Sequence, residues 1–373
     1  MRNRTNFLAG DRPGTSATSG AVGTASEASA PVAATSRRRV LGAIAGTAAA
    51  ALASLTSDRS AARAKDGDAV DARETFAGTW PFQARYSDAP GFAMHYVDEG
   101  TGPDTLLLLH GEPTWGYLFR NQIPRRAQAA RVVAVDHMGF GKSAAPQDRT
   151  YWLQDHIDNL ERFALAQDLR DLTLVMHDFG GPVGMGLAIR HPDRIKRIVS
   201  VNGPTPVGQP DLLDRLTANA AAAPWFRWIL KAEANGTLEA VLGHLDYNIL
   251  STLKLNGFER NEIITDSWLA AYRAPFPTPR HAAGAIGWAK GFATGAHRFE
   301  APTAETAAIL AKKPALALWG DADRTLQAEQ FLPLFRQAFP DGEVQRLPGA
   351  GHYSPEDAPA AVAHRVATFL GST

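Results

Sequence analysis

Eight short runs of apolar and β-branched residues constrain this chain more than any other feature, because the stretches between them carry apolar residues at helical spacing. The runs are FQARY (82–86), FAMHYV (92–97), TLLLLH (105–110), RVVAVD (131–136), LTLVMH (172–177), IKRIVSV (195–201), ALALW (315–319) and EVQRL (343–347). Segments 151–168, 181–191, 326–338 and 358–369 read as amphipathic helices. Strands alternating with helices imply an α/β fold, with a mostly parallel sheet covered on both faces and its active groups at the carboxyl ends of the strands. Between about 204 and 300 that rhythm stops. Trp225, Trp228, Trp268 and Trp288 fall in this segment, which we read as a helical cap inserted after the sixth core strand and lying over the strand ends. There is no internal repeat.

Charge and cysteine content then exclude several function classes. Lys+Arg and Asp+Glu are equal at 38 each, so no net field draws nucleic acid or an anionic membrane, and neither is expected as a partner. The chain has no Cys, which removes thiol catalysis, Cys-rich zinc sites and disulfides, and is compatible with an oxidising compartment. Residues 1–35 are dominated by Ser, Thr, Ala, Gly and Pro and are expected to be disordered. The text then changes to SRRRVLGAIAGTAAAALASL, where Arg37 and Arg38 ahead of Val40 and Leu41 resemble the twin-arginine export signature. The apolar run Val40 to Leu55 is shorter than the roughly 20 residues of a membrane span, and Ala62-Arg63-Ala64 offers a small-x-small cleavage site. These features imply a tail and signal peptide over 1–64, handled by the twin-arginine export machinery. Cleavage would leave a periplasmic or secreted protein without a stable membrane span. Its core is then expected over 65–203 and 301–373, with the cap at 204–300 between the two parts.

The fifth apolar run ends in LVMHDFGGPV (174–183), an Asp and two glycines where a strand gives way to a helix. A residue at such a turn projects into the cleft at the top of the sheet, the position of the serine in the G-x-S-x-G elbow. Here Asp178 holds it, and no G-x-S-x-G occurs in the chain, which demotes an ordinary serine esterase. A carboxylate facing a helix N-terminus is favoured in its ionised form and needs no base to act as a nucleophile. Asp also caps helices, so this segment alone leaves both roles open. HGEPTWGYLFR (110–120) follows the third strand, and the backbone N–H groups of Glu112 and Phe179 would together form an oxyanion hole. WGDADRTL (319–326) sets Asp321 and Asp323 just past a strand. GAGHYSPED (349–357) sets His352 on the loop after the last strand. Nucleophile, acid, histidine is the chain order of α/β-hydrolases.

The segments HGEPTW, VVAVDHMGFGKSAAP, LVMHDFGGPVGMGLAIRHPDRIKRIVSVNGP, AYRAPFPTP and GAGHYSPED resemble those of the haloalkane dehalogenases, α/β-hydrolases with an Asp nucleophile, over about residues 80 to 371. The resemblance implies an α/β-hydrolase fold in which Asp178 is the nucleophile and His352 the base. Family spacing from the preceding Gly selects Asp323 over Asp321 as the acid. It implies attack of Asp178 on an sp³ carbon of a small apolar haloalkane and loss of halide, followed by hydrolysis of the alkyl ester by water that His352 activates; neither a metal nor an organic cofactor is required. One position departs from the pattern. The family usually has Trp after the nucleophile, its indole N–H holding the halide, and this chain has Phe179. Losing such a donor typically costs about 10²- to 10³-fold in rate. Trp115, Trp225, Trp228 and Trp288 are the candidates to replace it. The Glu112 side chain has three open roles: ordering the catalytic water, holding a substrate group or holding its loop. The alternative reading keeps Asp178 but opens an epoxide or a lactone, with Tyr247 and Tyr272 as proton donors for an epoxide. A remote alternative is a non-catalytic receptor for an apolar ligand.

Overall fold

The computed structural model describes residues 69–373. The expected signal residues Arg37 and Arg38, and the cleavage site at Ala64, lie outside them. Eight strands form one sheet: β1 (Arg85–Ser87), β2 (Met94–Glu99), β3 (Thr105–Leu109), β4 (Arg131–Val135), β5 (Leu172–His177), β6 (Ile195–Val201), β7 (Ala315–Gly320) and β8 (Glu343–Leu347). Their spatial order is β1-β2-β4-β3-β5-β6-β7-β8, antiparallel from β1 through β2 to β4 and parallel from β4 onward. All eight coincide with the apolar runs of the sequence. The first is displaced toward its carboxyl end, because only Arg85–Ser87 find partners on β2.

The central strands are buried on both faces. Leu106 and Leu108 of β3 join one hydrophobic cluster, Leu107 and Leu109 the other, as the two-residue period of a strand requires. The first cluster takes Val362, Val366 and Phe369 from the last helix, Pro359–Ser372. The second takes Ile157 and Leu160 from the helix Leu153–Ala166, Val183 and Leu187 from Gly180–Arg190, and Phe331 and Phe335 from Ala328–Ala338. Two helical layers therefore sandwich the sheet. Among the described residues, no helix is long and apolar enough to cross a membrane.

Between β6 and β7 the chain forms six α-helices before Ala304–Ala311: Leu212–Ala222, Pro224–Ala234, Leu238–Leu242, Leu245–Asn256, Asp266–Arg273 and Ala283–Ala293. Three of the contacts between this helical insertion and the strand ends bear on the site. Trp115 Nε1 donates to the Ala271 carbonyl at 2.8 Å, the Gly257 carbonyl accepts from the His352 backbone N–H at 2.9 Å, and Trp288 stacks on Phe179 with ring centroids 4.2 Å apart. Strand order reverses at β3, whose successors run to β4 on one side and β5 on the other. In open sheets of this kind the crevice outside the carboxyl ends of the strands at the reversal is where ligands bind.

Candidate active site

Asp178 and Glu112 occupy the loops on the two sides of that reversal. β5 ends at His177, and Asp178 turns with φ +49°, a left-handed conformation that Asp tolerates better than bulkier residues. The helix Gly180–Arg190 then starts at once. Its first residue has to be small, since a Cβ on Gly180 would lie 2.3 Å from the Leu109 carbonyl oxygen. On the opposite loop a Cβ on Gly111 would lie 2.3 Å from Asp178 Oδ1, so only glycine lets the loop after β3 approach. That approach brings the Glu112 N–H to Asp178 Oδ1 at 2.8 Å.

Asp178, His352 and Asp323 form a continuous chain. His352 Nε2 lies 3.4 Å from Asp178 Oδ2, and His352 Nδ1 lies 3.1 Å from Asp323 Oδ2. Asp323 is held from four sides: its Oδ1 accepts the N–H groups of Thr325 and Leu326, each at 2.8 Å, and its Oδ2 accepts Asn202 Nδ2 at 2.8 Å beside His352. Asn202, at the end of β6, accepts in turn from Ser354 Oγ at 2.6 Å. Asp321, two residues from Asp323, instead pairs with Arg346 at the surface. His177 Nε2 bonds the His352 carbonyl at 2.9 Å. Burial, with the charge of His352, pulls the His177 imidazole down to about 3, so it is neutral and serves as a donor to this carbonyl.

The electrostatics follow from this geometry. Burial opposes ionisation of Asp178, yet the hydrogen bond and charge of His352, with a contribution from the Phe179 backbone, hold the carboxyl below its ordinary value. Burial likewise opposes charge on His352, but Asp323 and Asp178 outweigh it and raise the imidazole to about 10. The site rests as an imidazolium between two carboxylates. Glu112 goes the other way: burial, and then the negative Asp178, push its carboxyl well above the usual range.

The candidate donors separate once their partners are known. Trp115 is occupied by the Ala271 carbonyl and has no N–H to offer. Trp225 and Trp228 stack on each other at 5.1 Å. Trp288 is buried, lies against Phe179, and its Nε1 makes no hydrogen bond within the protein. Trp80 and Trp268 also leave Nε1 unpaired, but they pack on Phe82 and Phe258 rather than beside the nucleophile position. Tyr247 is 81% exposed, which removes it from the site. Tyr272 is buried, but its hydroxyl donates to Glu356, which Arg120 also clamps. Neither tyrosine is therefore placed to protonate a ring oxygen, contrary to the alternative the sequence raised. Sequence reasoning gave no role to Asn202, Ser354, Arg120 or Glu356; the one signal for Asn202 was a polar residue closing an apolar strand in VNGP. Among the described residues, no group of three or more His, Asp or Glu side chains is arranged to hold a metal ion.

Residues 104–359 match the model of a family described as having the alpha/beta hydrolase fold. The chain is 29% identical over 300 residues to haloalkane dehalogenase 2 of Mycobacterium tuberculosis, covering 78% of this chain and 96% of that protein. It is also 29% identical over 309 residues to a cis-3-alkyl-4-alkyloxetan-2-one decarboxylase of Shewanella oneidensis, covering 79% and 90%. Among solved structures, a mutant of the haloalkane dehalogenase DatA from Agrobacterium tumefaciens superposes with a TM-score of 0.58 at 23% identity, covering 78% of this chain and 96% of the other. A bromoperoxidase from Bacillus anthracis does so at 0.57 and 19%, covering 78% and 100%. At these identities the structural likeness establishes the fold alone.

Proposed function

This chain belongs to the alpha/beta hydrolase fold family, and we propose that within it the protein is a hydrolase of haloalkane dehalogenase type that works through an ester of Asp178. The observation that carries this reading is the chain Asp178–His352–Asp323, with the Glu112 N–H on the Asp178 carboxylate. An ionised Asp at a strand-to-helix turn, with one oxygen held by a backbone N–H and the other by an imidazolium, is a carboxylate set to attack an sp³ carbon. A serine there would form an ether that water cannot cleave; an Asp ester is opened at its carbonyl.

In the first step Asp178 displaces halide from a small apolar haloalkane, and the Trp288 N–H, unclaimed by the protein, receives the leaving ion in place of the donor that Phe179 lacks. In the second, His352, oriented by Asp323, takes a proton from water as the water attacks the ester carbonyl. The Glu112 and Phe179 N–H groups then hold the charge that develops on the Asp178 oxygen. Opening of an oxetan-2-one by the same carboxylate is the second reading. It is favoured by the equally similar relative named for that substrate, and by Phe179, since relief of strain in a four-membered ring drives its opening without the indole donor that Phe179 lacks. The domain reading, a cap over 204–300 closing the site, and export directed by Arg37 and Arg38 complete the proposal; replacing both arginines with lysine should retain the precursor in the cytoplasm. The decisive test is 1-bromobutane with the purified protein and with His352→Gln. Bromide release by the first, and a butyl ester accumulating on Asp178 in the second, are expected. Neither bromide nor adduct would overturn the reading.

A further inference from the structure

One acid at this site has no task in the reaction above. The Glu112 peptide is pinned at both ends, its N–H by Asp178 and its carbonyl by the Tyr353 hydroxyl at 3.2 Å. The side chain between them is 7% exposed, and its Oε1 makes no hydrogen bond within the protein. Among the described residues no ion pair involves Glu112, while the imidazolium of His352 is shared between Asp178 and Asp323. A buried carboxyl without a cation, beside a carboxylate that already has one, is stable only as the neutral acid. The upward shift that burial and Asp178 impose on Glu112 agrees.

We propose that the Glu112 carboxyl is a proton donor to a leaving oxygen, and that the same site therefore opens epoxides. This rests on Asp178 being the nucleophile. A halide departs as a weakly basic ion and asks only for a hydrogen bond, whereas the alkoxide formed from an epoxide is strongly basic and leaves well only if it is protonated as the C–O bond breaks. Both tyrosines that could have supplied that proton are elsewhere, one at the surface and one bound to Glu356. The His352 imidazolium is already held by two carboxylates and the Tyr353 hydroxyl by the Glu112 carbonyl, which leaves the Glu112 carboxyl, beside Asp178, as the acid with an unpaired oxygen. In the proposed step an Asp178 oxygen bonds to the epoxide carbon, the C–O bond breaks, and the ring oxygen takes the Glu112 proton to become a hydroxyl. The product is a hydroxyalkyl ester of Asp178 beside an ionised Glu112. Glu112 regains its proton from the His352 imidazolium, which frees His352 to take one from water. Attack of that water releases the diol and restores both Asp178 as carboxylate and His352 as imidazolium. The sum is epoxide plus water to diol.

The test uses His352→Gln, which traps the ester, with and without Glu112→Gln. Ester formation is followed by intact mass with 1-bromobutane and with styrene oxide separately. His352→Gln should take both adducts, and only the styrene oxide reaction should slow in D₂O. Adding Glu112→Gln should lower the ratio of epoxide to bromide alkylation rates about 100-fold or more. Should the double variant fail to fold, the solvent isotope comparison on His352→Gln alone decides. An adduct from 1-bromobutane but none from styrene oxide would overturn the inference and leave the dehalogenase reading standing. Equal losses with both reagents, or equal isotope effects, would also overturn it. No adduct from either reagent would remove Asp178 as nucleophile and the inference with it.

Discussion

Replacing Asp323 with Asn changes one atom, and the structure says what that atom does. Asp323 Oδ1 accepts two backbone N–H groups at 2.8 Å, which an amide oxygen would keep. The new NH₂ must then sit where Oδ2 now accepts His352 Nδ1 at 3.1 Å and Asn202 Nδ2 at 2.8 Å, so a donor faces two donors. His352 can relieve its half by moving its proton to Nε2. That tautomer points N–H toward Asp178 and cannot take a proton from water. Asn202 Nδ2, buried, loses its short bond, at a cost of about 1–3 kcal/mol in stability. Ester hydrolysis should fall about 10³- to 10⁴-fold, a barrier increase of roughly 4–5.5 kcal/mol. Alkylation, which needs only an ionised Asp178, should survive. A quenched single turnover with 1-bromobutane, read by intact mass, would then show the ester accumulating to one per chain. Asp321→Asn is the control: its partner Arg346 is at the surface, such pairs contribute about 0–1 kcal/mol, and turnover should hold. Rapid hydrolysis in Asp323→Asn, or a larger loss in Asp321→Asn, would refute the assignment of the acid.

Two further outcomes are expected. Trp288→Phe keeps an aromatic ring against Phe179 and removes an N–H that no protein group uses; the smaller ring leaves a cavity at this buried position, at a cost of about 1–3 kcal/mol in stability, while bromide release falls about 10²- to 10³-fold, and unchanged release would mean the indole is not the donor. His352, raised to about 10 by its two carboxylates, binds more protons folded than unfolded, where its value is about 6.5, so its contribution to stability is complete below about 6.5 and is lost as pH rises through about 10. Urea denaturation across that range should show the stability difference between the native chain and His352→Gln shrinking with rising pH, and a constant difference would contradict it.

The sheet was legible because a strand buried on both faces has to be continuously apolar, and TLLLLH, LTLVMH and ALALW have few other ways to be used. The position of Asp178 was legible for a related reason, since it closes such a run, and that of His352 because it follows the last strand in chain order. What the sequence could not rank was the set of donors. Trp115 and Trp288 look alike in a string of letters, and they separate only because the helix Asp266–Arg273 offers the Ala271 carbonyl to one and nothing in the insertion offers an acceptor to the other. Tyr272 is removed by a carboxylate 84 residues away and Asn202 is recruited by one 121 residues away. Side-chain hydrogen bonds across that distance leave no periodic trace.

The raised proton affinity of His352 has to be reconciled with its proposed role, because an imidazolium is not a base. The charge balance of the cycle resolves this. Two carboxylates hold that proton, and the first step turns one of them, Asp178, into a neutral ester. With that charge gone, burial and Asp323 alone set the imidazole, and its affinity for the proton drops. The proton departs with the halide, which is the acid that hydrolysis of a haloalkane must release. Water then gives one of its protons to His352, and cleavage of the ester regenerates the Asp178 carboxylate beside an imidazolium, the resting state. The base is thus available only while an ester is present for it to hydrolyse. In the resting site the same proton keeps Asp178 ionised and ready to attack.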